Sequence, residues 1–394
     1  MADLFNPTSE HAELRRTLRK FAEREVGPQA PEFDRAEKFN LQLFRRLGQE
    51  LGVLGITADP DHGGAGMDAV AAVIAHEELS AVDPGFTLAY LAHAILCVNN
   101  LDQNGSDAQR ARLLPGLCDG SLVGGMCMSE PGAGTDVLGM TTRAVRDGDV
   151  YRLTGNKMWI TNGAVSDTEL GDVFLVYART QEGRGAAGVS MFIVEKGMPG
   201  FSLGQRIKDK LGMRASPTAE LVFEDCEVPL ANRVGEEGDA TLHMMRNLEL
   251  ERLTLAAMSL GIARRCIEVM NRYATERQAF GHSINRFGQI QRHIAESYAE
   301  FMAGRSYVYS TAQAMRLDKA GNRLDSDGVK LYCSTMAKNV ADRAIQVLGG
   351  YGYIGEYHVE RLWRDAKLLE IGGGTIEAHQ KNMTRDLSRM EIIK

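Results

Sequence analysis

The feature that most constrains the fold is a change of periodicity along the chain, from helical to extended and back to helical. Up to about residue 120, apolar residues recur at helical spacing, as in residues 12–25. Short segments rich in β-branched and aromatic residues follow, such as 173–178, and helical spacing returns at about residue 236. This order predicts an α+β fold with a helical domain over 1–120, an antiparallel β domain over 121–235 and a helical domain over 236–394.

Composition and charge exclude several classes of protein. The net charge is −7, whereas a nucleic-acid-binding protein would normally present a basic face. No apolar signal segment follows the first residues, and the apolar run over 253–263 is far shorter than the roughly 20 residues that span a bilayer. The sequence therefore predicts a soluble intracellular protein with no nucleic-acid partner and no membrane insertion. We expect it in a bacterial cytoplasm, or in the mitochondrial matrix if the chain is a processed eukaryotic one.

The patterns typical of metal and dinucleotide sites are missing or misplaced. The six cysteines form no C-x-x-C pair and the nine histidines form no H-E-x-x-H pattern, which predicts free thiols and no metal site. Residues 350–355 do match G-x-G-x-x-G. A dinucleotide-binding turn needs a strand before the glycines, whereas residues 341–348 have the pattern of a helix. We therefore interpret these glycines as the end of a helix.

One carboxylate interrupts an apolar stripe on a predicted helix. At 100° per residue, five positions fall within an arc of about 80°, namely Leu248, Glu251, Leu255, Met258 and Ile262. Glutamate is rarely buried without a partner. Two interpretations of Glu251 remain open from the pattern alone. Either it pairs with a cation, for which Arg252 is the nearest candidate, or it serves as a base whose pKa is raised by an apolar environment.

Five segments together resemble the signatures of the acyl-CoA dehydrogenase family. They occur in family order at residues 126–137, 157–163, 276–281, 346–352 and 364–367. The resemblance implies a helical domain, a middle antiparallel β-barrel-like domain and a C-terminal four-helix bundle. It also implies FAD as cofactor, an acyl-CoA as substrate, an electron-transferring flavoprotein as acceptor and a homotetramer built as a dimer of dimers.

The same resemblance implies a set of FAD-binding residues. The Met128 main chain and the hydroxyls of Ser129 and Thr161 would face the flavin ring, Trp159 would pack against it and Thr375 would close the site. Further cofactor contacts are implied for Thr135, Arg277, Phe280, Gln346, Gly350 and Glu377, of which Arg277, Phe280 and Gln346 would come from a neighbouring subunit. The chain departs from the family pattern at Gly288, which replaces a glutamine expected near the adenosine half, and at Ala279, where some relatives carry threonine.

The glycine run 372–374 departs from the family pattern more strongly. Many members carry the catalytic glutamate at the position of Gly373. One branch, which acts on isovaleryl-CoA, also lacks that glutamate and uses a base on an earlier helix, at the position that Glu251 matches. Gly373 would then supply only a backbone N–H for the thioester oxygen. Gly372 replaces a tyrosine of straight-chain relatives, and with Leu255 and Arg252 it would form the substrate site.

The implied activity is therefore α,β-dehydrogenation of a short branched-chain acyl-CoA, with Glu251 as base. Three alternatives stay open. The chain could be a dehydrogenase for medium-chain or terpenoid-like branched acyl-CoA, an acyl-CoA oxidase, or a non-catalytic flavoprotein or acyl-CoA-binding module.

Overall fold

A computed structural model describes residues 3–181, 183 and 185–390 and confirms the predicted order of helices, strands and helices. The first helical part comprises α1 Ser9–Phe21, α2 Gly27–Ala36, α3 Leu41–Gln49, α4 Ala69–Ser80, α5 Pro84–Leu91, α6 Asn100–Asn104 and α7 Asp107–Asp119. Side-chain caps begin several of these helices. Asp68 accepts from the N–H of Ala71 at α4, and Ser106 and Gln109 form a capping box at α7.

The middle part is one sheet. Its strands are β1 Gly124–Cys127, β2 Arg143–Asp147, β3 Val150–Thr161, β4 Val173–Arg179, β5 Val189–Glu195, β6 Phe201–Arg206, β7 Thr218–Pro229 and β8 Arg233–Val234. They follow the order β6-β7-β3-β2-β4-β5-β8, with β1 beside β4. The pairs are antiparallel except for β1 with β4 and a single residue pair between β2 and β4. β1 follows the helical part directly and is not joined to β4 by a hairpin, so it is free to run parallel.

The last part is helical and contains the longest helix. Its elements are α8 Ala240–Glu276, a short hairpin of β9 Gln278–Ala279 and β10 His282–Ser283, α9 Gly288–Ala314, α10 Arg323–Leu348, α11 Val359–Leu369 and α12 Ile376–Leu387. α8 contacts α4, α9, α10 and α11, so it lies at the centre of the helical packing. The bounds of the three domains drawn from the sequence stay a prediction.

The central position of α8 corrects the reasoning about the apolar stripe. The five stripe residues are buried, but so is every residue from Asn247 to Ala263, including Glu249 and Arg252 on other faces. A helix surrounded by packed neighbours buries all its faces, so periodicity does not set Glu251 apart from them. Its distinction must come from its contacts.

Other sequence expectations concern the glycine motif and the cysteines. α10 ends at Leu348 and a short 3₁₀ turn spans Gly349–Gly352, which confirms that the G-x-G-x-x-G match follows a helix. All six cysteines are buried free thiols. Within the described part of the chain, no helix is both long enough and apolar enough to cross a bilayer.

Candidate active site

Glu251 is a buried carboxylate without a hydrogen-bonding partner. It lies on α8 with only 7% of its surface exposed, and among the described residues nothing donates to its Oε2 atom. Burial raises the pKa of Glu251 to about 7, although the positive charges of Arg252 and Lys330 lower it in part. A carboxyl group that is half ionised near neutral pH, with a free oxygen, is suited to accept a proton.

Of the two interpretations that the sequence left open for Glu251, the ion pair with Arg252 is not formed within the described residues. Arg252 is also buried, but its Nη1 lies 3.2 Å from Oδ1 of Asp327 on α10. Neighbours along a helix point about 100° apart, so consecutive residues do not face each other. Lys330, also on α10, donates to the backbone oxygen of Leu369. Both cations therefore act on Glu251 through their field and not through a contact.

The glycine run forms the turn between α11 and α12 and meets α8 at Glu251. A Cβ placed on Gly373 would lie 3.5 Å from Oε1 of Glu251 and 2.2 Å from Cδ1 of Leu255. The structure thus brings together Glu251, Leu255 and Gly373, which are up to 122 positions apart in the chain. Gly373 has a φ of 68°, and no hydrogen bond of the described residues uses its backbone N–H. Gly373 therefore has a free N–H donor and lies next to Glu251.

Gly372 differs from its neighbour, because its backbone does not require glycine. Its φ is not in the left-handed region. A Cβ there would meet Leu368 atoms at 3.6–3.8 Å, which is ordinary van der Waals contact. The missing side chain therefore leaves space without being needed for the turn.

Trp159 is presented by an irregularity in β3. The register between β3 and β7 shifts between Lys157 and Ile160, and Trp159 has a left-handed φ of 64°. Its side chain is 60% exposed, unlike a tryptophan that packs in the core. The N–H of Met158 donates to the oxygen of Ser129 at 2.9 Å, so the segment after β1 lies beside this bulge. Bulges of this kind re-aim side chains near functional sites.

A buried ion pair that the sequence reasoning missed supports this surface. Lys157 Nζ lies 3.0 Å from Oε1 of Glu130 and donates to the backbone oxygen of Met128 at 3.1 Å. Burial alone would raise the pKa of Glu130, but Lys157 and hydrogen bonds from Thr142 and Thr141 lower it to about 2. The pair fixes the segment that contains Met128 and Ser129. Lys157 lies in one of the five family-like segments. The sequence does not show that it pairs with Glu130, 27 positions earlier in the chain.

Three other predicted cofactor residues lie in the last helical part of the chain. Arg277 and Gly350 line an open groove of about 540 Å³ together with Tyr273 and Tyr351. Phe280, at the tip of the β9–β10 hairpin, is 91% exposed with a φ of 51°, followed by Gly281 at 83°. Positive φ values at two consecutive residues are typical of a tight hairpin turn. A bulky residue such as phenylalanine is strained in this conformation.

The other predicted cofactor residues lie on separate elements of the chain. Gln346 is exposed near the end of α10, Thr135 is exposed in the loop after β1, and Thr161 ends β3. Thr375 caps α12 by accepting from the N–H of Ala378 at 3.2 Å, and Glu377 is exposed in the first turn of that helix. The cofactor roles of these residues stay predictions.

Comparison with known proteins gives a consistent result. Models of the N-terminal, middle and C-terminal domains of acyl-CoA dehydrogenases match residues 8–121, 125–226 and 241–388. The chain is 42% identical over 390 residues to a mitochondrial isovaleryl-CoA dehydrogenase of Oryza sativa subsp. japonica, covering 98% of this chain and 93% of that one. It is 39% identical over 378 residues to a short-chain-specific acyl-CoA dehydrogenase of Clostridium acetobutylicum, covering 95% and 97%.

A solved structure agrees with these relatives. The fold is similar to butyryl-CoA dehydrogenase from Megasphaera elsdenii with a TM-score of 0.92 and 34% identity, covering 97% of this chain and 99% of that one. The matches confirm the resemblance and the fold class predicted from the sequence.

Proposed function

Because the chain belongs to the acyl-CoA dehydrogenase family, we propose that it oxidises a short branched-chain acyl-CoA such as isovaleryl-CoA with Glu251 as the base. FAD-dependent dehydrogenation of an acyl-CoA is the activity of the family. The observation that carries the proposal is the unpartnered carboxylate of Glu251 beside the glycine turn. It supports a base on α8 instead of one on the turn itself.

The residues present fit FAD. A tryptophan that is 60% exposed on a left-handed backbone offers an aromatic face for a planar ring, and the Met128–Ser129 segment beside it is fixed by Lys157. Arg277 and Phe280 would hold the phosphate and adenine end from a neighbouring subunit, consistent with their exposure in a single chain. When bound, FAD supplies the acceptor for the hydride equivalent that leaves the β-carbon of the acyl group.

Glu251 would take the proton from the α-carbon next to the thioester carbonyl. Its pKa of about 7 leaves about half of the carboxyl groups ionised at neutral pH, and a raised pKa makes the carboxylate a stronger base. Loss of that proton shifts negative charge onto the thioester oxygen. The N–H of Gly373 makes no hydrogen bond within the described residues and would donate to that oxygen. Donors aimed at a developing oxyanion are usually the largest single contribution to catalysis at such sites.

The proposal of a branched acyl group rests on the missing side chain at Gly372. Gly372 leaves room that a side chain could fill without strain, while Leu255 contacts the turn beside Glu251 and limits depth. One methylene in such a pocket changes the activation free energy by about 1–3 kcal/mol, so neighbouring acyl lengths should be discriminated only weakly. We further propose an electron-transferring flavoprotein as the acceptor and a homotetramer as the assembly.

The test compares two glutamates on the same helix. In anaerobic mixing with isovaleryl-CoA, Glu251→Gln should slow bleaching of the flavin by about 10²–10⁴-fold, the usual contribution of a general base. Glu249→Gln is the matched control, since Glu249 accepts from the backbone N–H groups of Gly321 and Asn322 and not from the turn. Bleaching at the wild-type rate in Glu251→Gln would rule out this base. Hydrogen peroxide formed during turnover would indicate an oxidase instead.

A further inference from the structure

A buried histidine and aspartate lie behind the glycine turn and take no part in the chemistry proposed above. His379 on α12 and Asp327 on α10 are both fully buried. His379 Nδ1 lies 2.6 Å from Oδ1 of Asp327, and its Nε2 lies 3.0 Å from the backbone oxygen of Gly374. A Cβ on Gly374 would approach Cε1 of the ring to 2.9 Å, so the imidazole packs directly against the turn.

This contact is the only side-chain hydrogen bond to the backbone of residues 372–374 within the described ranges. Three consecutive glycines have more conformational freedom than any other tripeptide, and Gly373 and Gly374 both have a positive φ. The turn is held on its N-terminal side by the N–H of Gly372, which donates to Leu368. On its C-terminal side the N–H of Ile376 donates to the oxygen of Glu370 across the base of the turn, and His379 is the side chain that holds Gly374 itself. A donor at Gly373 keeps its position only if both ends of the turn are fixed.

The partners of the ring determine how many protons the bridge needs. A carboxylate and a carbonyl are both acceptors, whereas a neutral imidazole has one N–H. Both contacts are satisfied only when the aspartate and histidine together hold two protons. The charged groups that face the ring are Asp327 and Lys330 from α10 and Arg252 from α8, whose Nη1 lies 3.2 Å from the same Asp327 oxygen. Burial lowers the pKa of His379 more than its hydrogen bond with Asp327 raises it.

We propose that the Asp327–His379 bridge is a positioning device that holds the Gly372–Gly374 turn so that the N–H of Gly373 meets the thioester oxygen. The inference rests on the function proposed above, since it gives that N–H its task. Asp327 and His379 touch neither substrate nor reacting atoms; they act through the backbone of Gly374. Their removal should therefore reduce the rate of the chemical step more than the binding of substrate.

The bridge predicts graded outcomes for two substitutions of the histidine. His379→Leu removes the donor to Gly374, and kcat should fall about 10- to 100-fold while KM changes less than about threefold, part of what a lost oxyanion donor would cause. His379→Gln keeps one N–H donor for Gly374, so its loss of kcat should be smaller.

A second measurement does not depend on turnover. In the substrate-free holoenzyme, amide hydrogen exchange over residues 370–376 should accelerate in His379→Leu by about tenfold or more, and by less in His379→Gln. If the leucine variant does not fold, His379→Gln replaces it. Glutamine keeps one donor for Gly374 but presents an acceptor to Asp327, so it should lie between the wild type and the predicted leucine phenotype.

The two levels of inference fail in different ways. A wild-type protein that no acyl-CoA reduces would remove the proposed function, while the exchange data would still decide whether His379 anchors the turn. A wild-type kcat and unchanged exchange in His379→Leu would overturn the bridge and leave Glu251 as base untouched. A kcat in His379→Gln as low as that in His379→Leu would also overturn it, because glutamine keeps a donor for Gly374.

Discussion

The buried carboxyl of Glu251, which we propose as the base, should also lower the stability of the protein. Its carboxyl has a pKa of about 7 in the folded chain and an ordinary value of 4.5 when exposed, because burial disfavours the charge. Between these two values the folded state binds more protons than the unfolded state, so the free energy of unfolding falls as pH rises. Glu251→Gln mimics the neutral acid at every pH and should not lose this stability.

The size of the effect follows from the shift. At 1.36 kcal/mol per unit, 2.5 units correspond to about 3 kcal/mol, of which about 2.5 kcal/mol appears between pH 5 and pH 8. The glutamine amide is itself buried without a partner, and this adds a penalty that does not depend on pH. The prediction therefore concerns how the difference in unfolding free energy between Glu251→Gln and the wild type changes with pH. Relative to the wild type, Glu251→Gln should gain about 2.5 kcal/mol on going from pH 5 to pH 8.

The assay is equilibrium denaturation of FAD-saturated protein at both pH values. Glu13→Gln is the control, since Glu13 is an exposed glutamate that pairs with Arg16 and should show no gain at pH 8. Buried Asp83 and Asp365 have pKa values that burial raises to about 6 and about 7, but they are common to all three proteins and cancel. A Glu251→Gln difference that is the same at pH 5 and pH 8 would refute the raised pKa and with it the argument for the base.

Three further outcomes are expected around the glycines. Gly372→Tyr should fold, because a Cβ there is unhindered, and should lower kcat/KM for isovaleryl-CoA relative to butyryl-CoA about tenfold or more, with Gly372→Ala as the nearly neutral control. The base can be moved to the turn with Glu251→Gly and Gly373→Glu. Partial turnover of straight-chain acyl-CoA should return only when Leu255→Ala is added, because the new glutamate would otherwise collide with Leu255. Full recovery without Leu255→Ala would contradict the geometry. Gly288→Gln, at an open position that begins α9, should retain FAD longer on dialysis than Gly288→Ala, and equal loss from both would show that the missing amide is irrelevant.

The sequence allowed the fold and several members of the site to be predicted for identifiable reasons. The order of helices and strands reflects local periodicity, which depends on neighbours along the chain. The approach of Glu251 to Gly373 was expected from a resemblance and not from periodicity, because burial on all faces of α8 makes the apolar stripe uninformative. The exposure of Trp159 could not be predicted from its strand, since it depends on a register shift against β7.

The partners of charged groups were the least predictable part. Arg252 is the nearest cation to Glu251 in the sequence. Adjacent residues of a helix do not face each other, however, so the two side chains are separated. Its partner Asp327 is 75 positions away, and the partner of Asp327, His379, is a further 52. Nothing local marks such a chain of contacts, because a buried ionic residue looks in sequence like a residue on a solvated helix face.

The three glycines of the turn therefore differ in the constraints that act on them. Gly372 is free of backbone and steric constraint, and its part in the substrate site stays a prediction. Gly373 is constrained by a positive φ and by Leu255, so a glutamate at this position would need both a strained backbone and a smaller neighbour. Gly374 is constrained by its own positive φ and by the ring of His379. A base on α8 removes the need for a side chain at Gly373, and the turn is then left to position an N–H, for which glycine and a buried anchor are sufficient.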